Sequence, residues 1–390
     1  MQKFDEKATG PLAGVRVLDL SRLVAGNMLT LFLADFGADV IKIERDGNGD
    51  DLRNWRAEGQ EIYWKVYGRN KRSMVLDLKA ENGLKNFKSL VAGAQILVEN
   101  FVPGGLEKMG LAPETLLKLN PKLVIVRISG WGQTGPYRHK PGFGTLVEAM
   151  SGFAHLNGFA DQPPTLPPLA MADMIAGIYG AAGVLTALRT AENNGVGQVI
   201  DLSLFEPIFS LIASEAAKYR LTGIPTMRSG NQSTHTAPRN IYPCSDGAFV
   251  ALSGSMQSMA LRIFETIGRP ELKDDSRFST NDARVKHRDE LDEIIGAFVK
   301  LRTQLENLAL FEKTGVTVGP VCSIADLVDH PFVVGRQVIV EVEDRDMGSL
   351  PMHNIIPRLS ENPGTFRRPA PRLGEHTEEI LAELQLQGGQ

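Results

Sequence analysis

Cysteine is nearly missing: Cys244 and Cys322 are the only two among 390 residues, and they stand in no CxxC or Cys/His spacing. That excludes a disulfide framework and a cysteine-based zinc site. A glycine-rich phosphate loop is missing too. The first strand-like run is followed by SRLVAGNML, with one glycine in a turn where a dinucleotide fingerprint needs three, and no Walker A pattern occurs. NAD and ATP are therefore not expected, nor is any resident metal or permanently bound cofactor. Charge of one sign does not dominate: 42 basic and 46 acidic residues are mixed along the chain for a net charge of -4, with no basic block to track a phosphate backbone. The longest apolar stretches are broken by Gly, Asp or Arg short of a membrane span, and MQKFDEKATG lacks an apolar signal core. These absences lead to the expectation of a soluble cytoplasmic protein with small-molecule partners, binding neither nucleic acid nor membrane.

What is present is a regular alternation. Short apolar runs rich in β-branched residues (VRVLDL, ADVIKIE, SMVLDL, AQILVEN and LVIVRIS) are separated by segments of helical period such as AGNMLTLFLADFG, KAENGLKNFKSLVAG and APETLLKLNP. GQVIDLSLFE adds a sixth run. Strand and helix in turn imply an α/β fold with a parallel sheet covered on both faces. The pattern predicts a large domain over 1–205, a linker over 206–228, a smaller α+β domain over 229–328 opened by the hairpin-like NIYPCSDGAFVALSG, and a Pro-rich return over 329–390 that packs on the large domain.

Between Asp161 and Arg189 one charged side chain occurs, Asp173, set in LPPLAMADMIAGIYGAAG. Prolines Pro167 and Pro168 just upstream make it a natural helix N-cap. They also place a carboxylate at a helix start in apolar surroundings, where desolvation sharpens a nucleophile and the helix N-terminus favours its charged form; Ala172, Ala176 and Gly177 leave room for a substrate. Basic residues gather near the ends of the early strands: Arg45, Lys71, Arg72, Lys79 and Lys108. Singly these are solvated charges; together they suit a phosphorylated ligand. Asn100 and Phe101 add an amide and an aromatic face in a strand-end loop, where open α/β sheets bind ligands. SGSMQ, at Ser253, Gly254 and Ser255, reads as an ordinary turn or as a mobile loop whose backbone amides stabilise an oxyanion. Arg239, in HTAPRN, is a surface residue or a partner for a distal carboxylate.

These motifs, GVRVLDLSRLVAG, LADFGADVIKIER, RNKRSMVLDLK, LVENFVPGGLEKMGL, LNPKLVIVRISGWGQTGP, the Asp173 segment and PRLSENPGTFRRPAPRLGEHTEEIL, run in order through nearly the whole chain. Together they resemble the class III CoA-transferases, the family that includes formyl-CoA and carnitine CoA-transferases. The resemblance implies a large Rossmann-like domain with a smaller α+β domain in an interlocked homodimer. It implies a nucleophile at Asp173 that becomes an aspartyl-CoA thioester, with CoA thioesters as substrates. By the same matching, Val24, Ala25, Arg45, Leu76, Lys79, Asn100, Phe101, Val102 and Lys108 bind CoA, and Ser253–Ser255 is the loop over the active site. Formyl-CoA transferase carries Gln, Tyr and Glu where Val24, Phe143 and Gly144 stand here. The acyl pocket at Phe143 and Gly144 is therefore expected to be roomier and more apolar, with succinyl-CoA as a candidate donor and a dicarboxylate as a candidate acceptor. Two alternatives remain. The α-methylacyl-CoA racemases are similar but place a His where Phe143 stands, and racemisation needs two acid/base groups; His139, four residues earlier, falls in a loop and reads as a surface residue. A non-catalytic CoA-binding protein is the other.

Overall fold

The computed structural model describes residues 1–388. Six strands form one parallel sheet: β1 (Arg16–Asp19), β2 (Asp39–Glu44), β3 (Lys71–Val75), β4 (Ile96–Glu99), β5 (Val124–Ser129) and β6 (Gln198–Ser203). Their order is β3-β2-β1-β4-β5-β6, so the chain reverses its direction of winding between β1 and β4. All pairings are parallel.

Alternate side chains of the strands enter two separate cores. On one face Val17, Ile96, Val98, Val124 and Val126 pack with α1 (Ala25–Asp35) and a later helix. On the other, Leu18, Leu97 and Ile125 meet α2 (Glu81–Ala92) and α3 (Pro113–Leu119). Burial on both faces is why the strands read as continuous apolar runs rather than alternating ones. After β5 come α4 (Gly144–Met150) and α5 (Met171–Asn194), which ends at Gly195 with φ +73°, the left-handed closure that glycine adopts without strain. Helices α6 (Phe205–Ser210) and α7 (Ser214–Thr222) follow β6.

Internal packing divides the chain into two units. The larger comprises Met1–Phe153, Leu166–Arg220 and the chain from Arg336 on; the smaller comprises Ala154–Thr165 and Leu221–Gly335. The stretch read as a linker thus carries α6 and α7. In the smaller unit β7 (Arg239–Pro243), β8 (Phe249–Ser253) and β9 (Val318–Pro320) form an antiparallel sheet. Tyr242, Val250 and Leu252 pack there on Phe264, Ile295 and Phe311. The return segment contains a hairpin that its composition did not announce, β10 (Ile339–Asp344) and β11 (Gly348–His353). The chain then closes on α8 (Thr377–Gly388), whose Ile380 is buried in the second core of the parallel sheet.

Candidate active site

The crevice outside the carboxyl ends of strands, where the winding reverses, is where such sheets bind ligands. Here the turn after β1 and the turn after β4 are tied together: the Asn100 side chain accepts from Arg22 N–H at 3.0 Å and donates to the Arg22 carbonyl at 2.8 Å. The β1 turn is narrow because a Cβ on Gly26 would lie 2.0 Å from Ser21 Oγ. Asp50 braces it, accepting from Leu23 N–H at 2.9 Å and from the Asn27 amide at 2.7 Å.

Two cavities open beside this junction and share Arg22 and Phe101 in their walls. One, of about 450 Å³, holds Asp173 together with Ala25, Asn100, Phe101, Val102 and Phe143. The other, of about 480 Å³, carries Arg45, Leu76 and Lys79. The sequence-predicted residues therefore separate into an Asp173 end and an end where Arg45 and Lys79 stand with Glu44, Asp46, Asp50 and Asp77. Arg45 is exposed and pairs with Asp51 at 2.7 Å; Asp51 also takes Arg22 at 3.2 Å.

Asp173 occupies the third position of α5, not its N-cap. Ala170 caps the helix and has no side chain to do so. Glu148, buried on α4, accepts the Ala172 N–H at 3.0 Å and takes over that role. Burial and then the Glu148 charge push the Asp173 carboxyl up to about 6, against the weaker pull of its own N–H. The helix start therefore does not hold this carboxyl low, although at neutral pH it remains mostly ionised. Gly144, at the first turn of α4, faces it directly: a Cβ there would lie 2.2 Å from Asp173 Oδ2. The small residues expected to leave room for substrate serve packing instead. Ala172 and Ala176 are fully buried, and a Cβ on Gly177 would lie 2.7 Å from Met28 Cβ on α1.

Other assignments shift. Val24 is buried with Leu52 and Trp64 and lines neither cavity. Lys108 is exposed and lines neither. Lys71 and Arg72 begin β3 and are structural: Lys71 donates to Asn27 Oδ1 at 2.9 Å, and Arg72 is held by Asp39, Glu379 and Glu383. His139 is exposed but lines the Asp173 cavity, with Arg138 and Lys140 on either side. Their loop and Glu148 were both missed by sequence reasoning; RHK directly before PGFG was the available signal for the first.

In the smaller unit, two amides of the SGS loop are committed. Ser253 N–H donates to Thr317 O at 3.1 Å and Gly254 N–H to Pro238 O at 2.7 Å, while Ser253 and Ser255 hydroxyls meet at 3.0 Å. These two donors are not free for an oxyanion. Ser253 and Arg239 line a separate cavity of about 390 Å³ in that unit, where Arg239 donates to the Asn231 and Gln232 carbonyls.

A carboxylate of raised pKa at the mouth of a doubly wound sheet, in a cavity beside one that holds Arg45 and Lys79, is a candidate nucleophile or acid/base group. The chain matches the family described as CoA-transferase family III over residues 12–377 and belongs to it. It is 40% identical over 377 residues to the succinyl-CoA–D-citramalate CoA-transferase of Chloroflexus aurantiacus, covering 96% of this chain and 94% of that one. It is 36% identical over 384 residues to the succinate–glutarate CoA-transferase of Agrobacterium fabrum, covering 96% of each. Among solved structures, a CaiB/BaiF family protein from Brucella suis matches with a TM-score of 0.85 at 33% identity, over 97% of this chain and 100% of that one. The chain is a CoA-transferase, and CoA thioesters are its substrates.

Proposed function

We propose that the enzyme moves CoA from succinyl-CoA to a carboxylic acid acceptor through a thioester on Asp173, working as a homodimer. The observation that carries the reading is the single carboxylate of the Asp173 cavity that is both screened from water and raised toward neutrality. Relatives named for succinyl-CoA and for citramalate, malate or glutarate support the donor and the type of acceptor.

In this reading an Asp173 oxygen attacks the donor thioester carbonyl. The C–S bond breaks, leaving a mixed anhydride and CoA thiolate. The thiolate attacks the Asp173 carbonyl and releases the donor acid as its carboxylate, so the enzyme carries CoA. An acceptor carboxylate attacks the same carbonyl and expels the thiolate; the thiolate then attacks the acceptor acyl carbon and frees Asp173. Each step exchanges one activated acyl bond for another, so no ATP and no net proton are needed. The adenosine phosphates fit the cavity of Arg45 and Lys79, and the thioester end fits the cavity of Asp173.

The test is mass spectrometry of the full chain after mixing with succinyl-CoA and quenching with hydroxylamine or borohydride, with Asp173→Ala as control. Modification of Asp173 is expected in the wild type alone. Absence of any adduct, with solvent exchange of the donor's α-proton, would overturn the reading in favour of racemase chemistry.

A further inference from the structure

The loop from Gly130 to Gly142 has no part in the chemistry above, yet it lines the Asp173 cavity. Its ends are drawn together at a neck where only glycine fits. A Cβ on Gly130 would lie 2.6 Å from Gly142 Cα, and one on Gly142 would lie 2.7 Å from Gly130 Cα. Above the neck Trp131 closes the loop, donating from Nε1 to the Pro141 carbonyl at 3.0 Å and meeting the Tyr137 ring edge-on at 5.6 Å. Gln133 N–H donates to both carboxylate oxygens of Asp201 on β6 at 3.0 Å, which fastens the loop to the sheet. It is a compact loop with a fixed base, the kind that carries function on a rigid scaffold.

At its tip stand Arg138, His139 and Lys140. Lys140 Nζ lies 3.4 Å from the centre of the Tyr137 ring, and Arg138 donates from Nε to His139 Nε2 at 2.9 Å, so that this imidazole nitrogen acts as acceptor. The third cation of the cavity, Arg22, is taken up by Asp51. Among the described residues neither Arg138 nor Lys140 has a carboxylate partner. Two cations without a carboxylate partner thus line the cavity that contains Asp173, while the other cavity has Arg45, paired with Asp51, and Lys79 among the carboxylates Glu44, Asp46, Asp50 and Asp77.

We propose that Arg138 and Lys140, held by the Gly130–Gly142 loop, bind the distal carboxylate of a dicarboxylic acid whose other carboxyl group reacts at Asp173. The inference rests on the transfer reading for the identity of the reacting group. The guanidinium supplies a planar pair of donors matched to a carboxylate, and the ammonium adds charge beside it. A monocarboxylic acid of equal length leaves both cations unanswered, so the enzyme discriminates by the far end of the substrate, not by the group that reacts.

The test is calorimetric binding of glutarate and of valerate to the CoA-loaded full chain, in wild type and in the Arg138→Gln/Lys140→Gln double variant. Both side chains are exposed at a loop tip, and the folded state of the variant is checked by its thermal transition. Wild type is expected to bind glutarate at least tenfold more tightly than valerate, and the variant to lose that preference. A variant that keeps the preference overturns the inference. So does one that loses CoA affinity while binding glutarate as before, since the cations would then serve phosphate. Mass spectrometry at Asp173 is read separately: a lost glutarate preference in the variant without any aspartyl adduct in wild type keeps Arg138 and Lys140 as the carboxylate site and removes the transfer reading.

Discussion

At the scale of the residue, Asp173 combines basicity with cost. A carboxyl raised from 3.8 to about 6 is a better nucleophile than an ordinary aspartate and is still ionised at neutral pH. Its rise also means that the folded protein binds a proton more tightly than the unfolded chain. Stability from this group is therefore greatest at low pH and falls as pH rises between the two values, leaving the full penalty above about pH 6. Asp173→Asn removes the charge at nearly constant shape. The variant is expected to lack transferase activity and to be more stable than wild type by about 3 kcal/mol at pH 8, where the wild-type carboxylate is ionised and carries the whole cost of its burial and of the Glu148 charge. That difference should shrink as pH falls from about 6 to about 4 and be small below that, where the wild-type carboxyl is protonated in both states. Urea unfolding at the two pH values measures it, and equal stability at pH 8 would show that burial does not penalise the charge. The isolation of Asp173 was legible because it is one charge in a long apolar run. Its failure to cap α5 was not, because the group that does so, Glu148, is 24 residues away in sequence.

At the scale of the element, the central strands β1, β4 and β5 were legible for a physical reason: burial on both faces favours apolar runs, and such runs stand out, whereas β3 opens on Lys71 and Arg72 and the edge strand β6 is exposed over half its length. The β10–β11 hairpin was hidden because IVEVED and GSLPMH mix charge and Pro351 with a small apolar set, leaving Val342, Leu350 and Met352 as its buried residues. The packing of α4 on α5 could not be read at all, and it sets the position of the Asp173 carboxylate. Gly144 is the contact point. Its φ is not in the left-handed region, so alanine is tolerated by the backbone, but the new Cβ would overlap Asp173 Oδ2. Asp173 has only two side-chain torsions with which to yield, and a displacement of about 1 Å costs on the order of 100-fold in rate. Gly144→Ala is expected to lower kcat by that order while the KM for succinyl-CoA changes little, because under the proposed reading the CoA phosphates are held at Arg45 and Lys79, away from the new Cβ. Steady-state kinetics against the donor decides it; an unchanged kcat would mean that the carboxylate does not react from this position.

At the scale of the whole molecule, the surface around α5 calls for a partner. The helix is long and apolar enough to cross a membrane by length and composition, yet only 44% of its most apolar window is buried. Its outward face shows Ile178 and Tyr179, and Leu211, after α6, is 56% exposed. Helix α7 buries none of its residues, and its Tyr219 is open to solvent. Strand β6, at the edge of the sheet, adds Val199. Single exposed apolar residues are ordinary on a protein surface, but a large apolar patch marks an interaction site. Under the homodimer proposed above, the cover is a second copy of the chain. Analytical ultracentrifugation of wild type is then expected to give twice the chain mass, and Ile178→Glu/Leu211→Glu to shift the population toward monomer, since the paired charges would have to be buried without partners. The competing occupant is a lipid surface. A wild-type protein that sediments as a monomer alone but associates with neutral lipid vesicles would assign the patch to the membrane and remove the dimer from the reading.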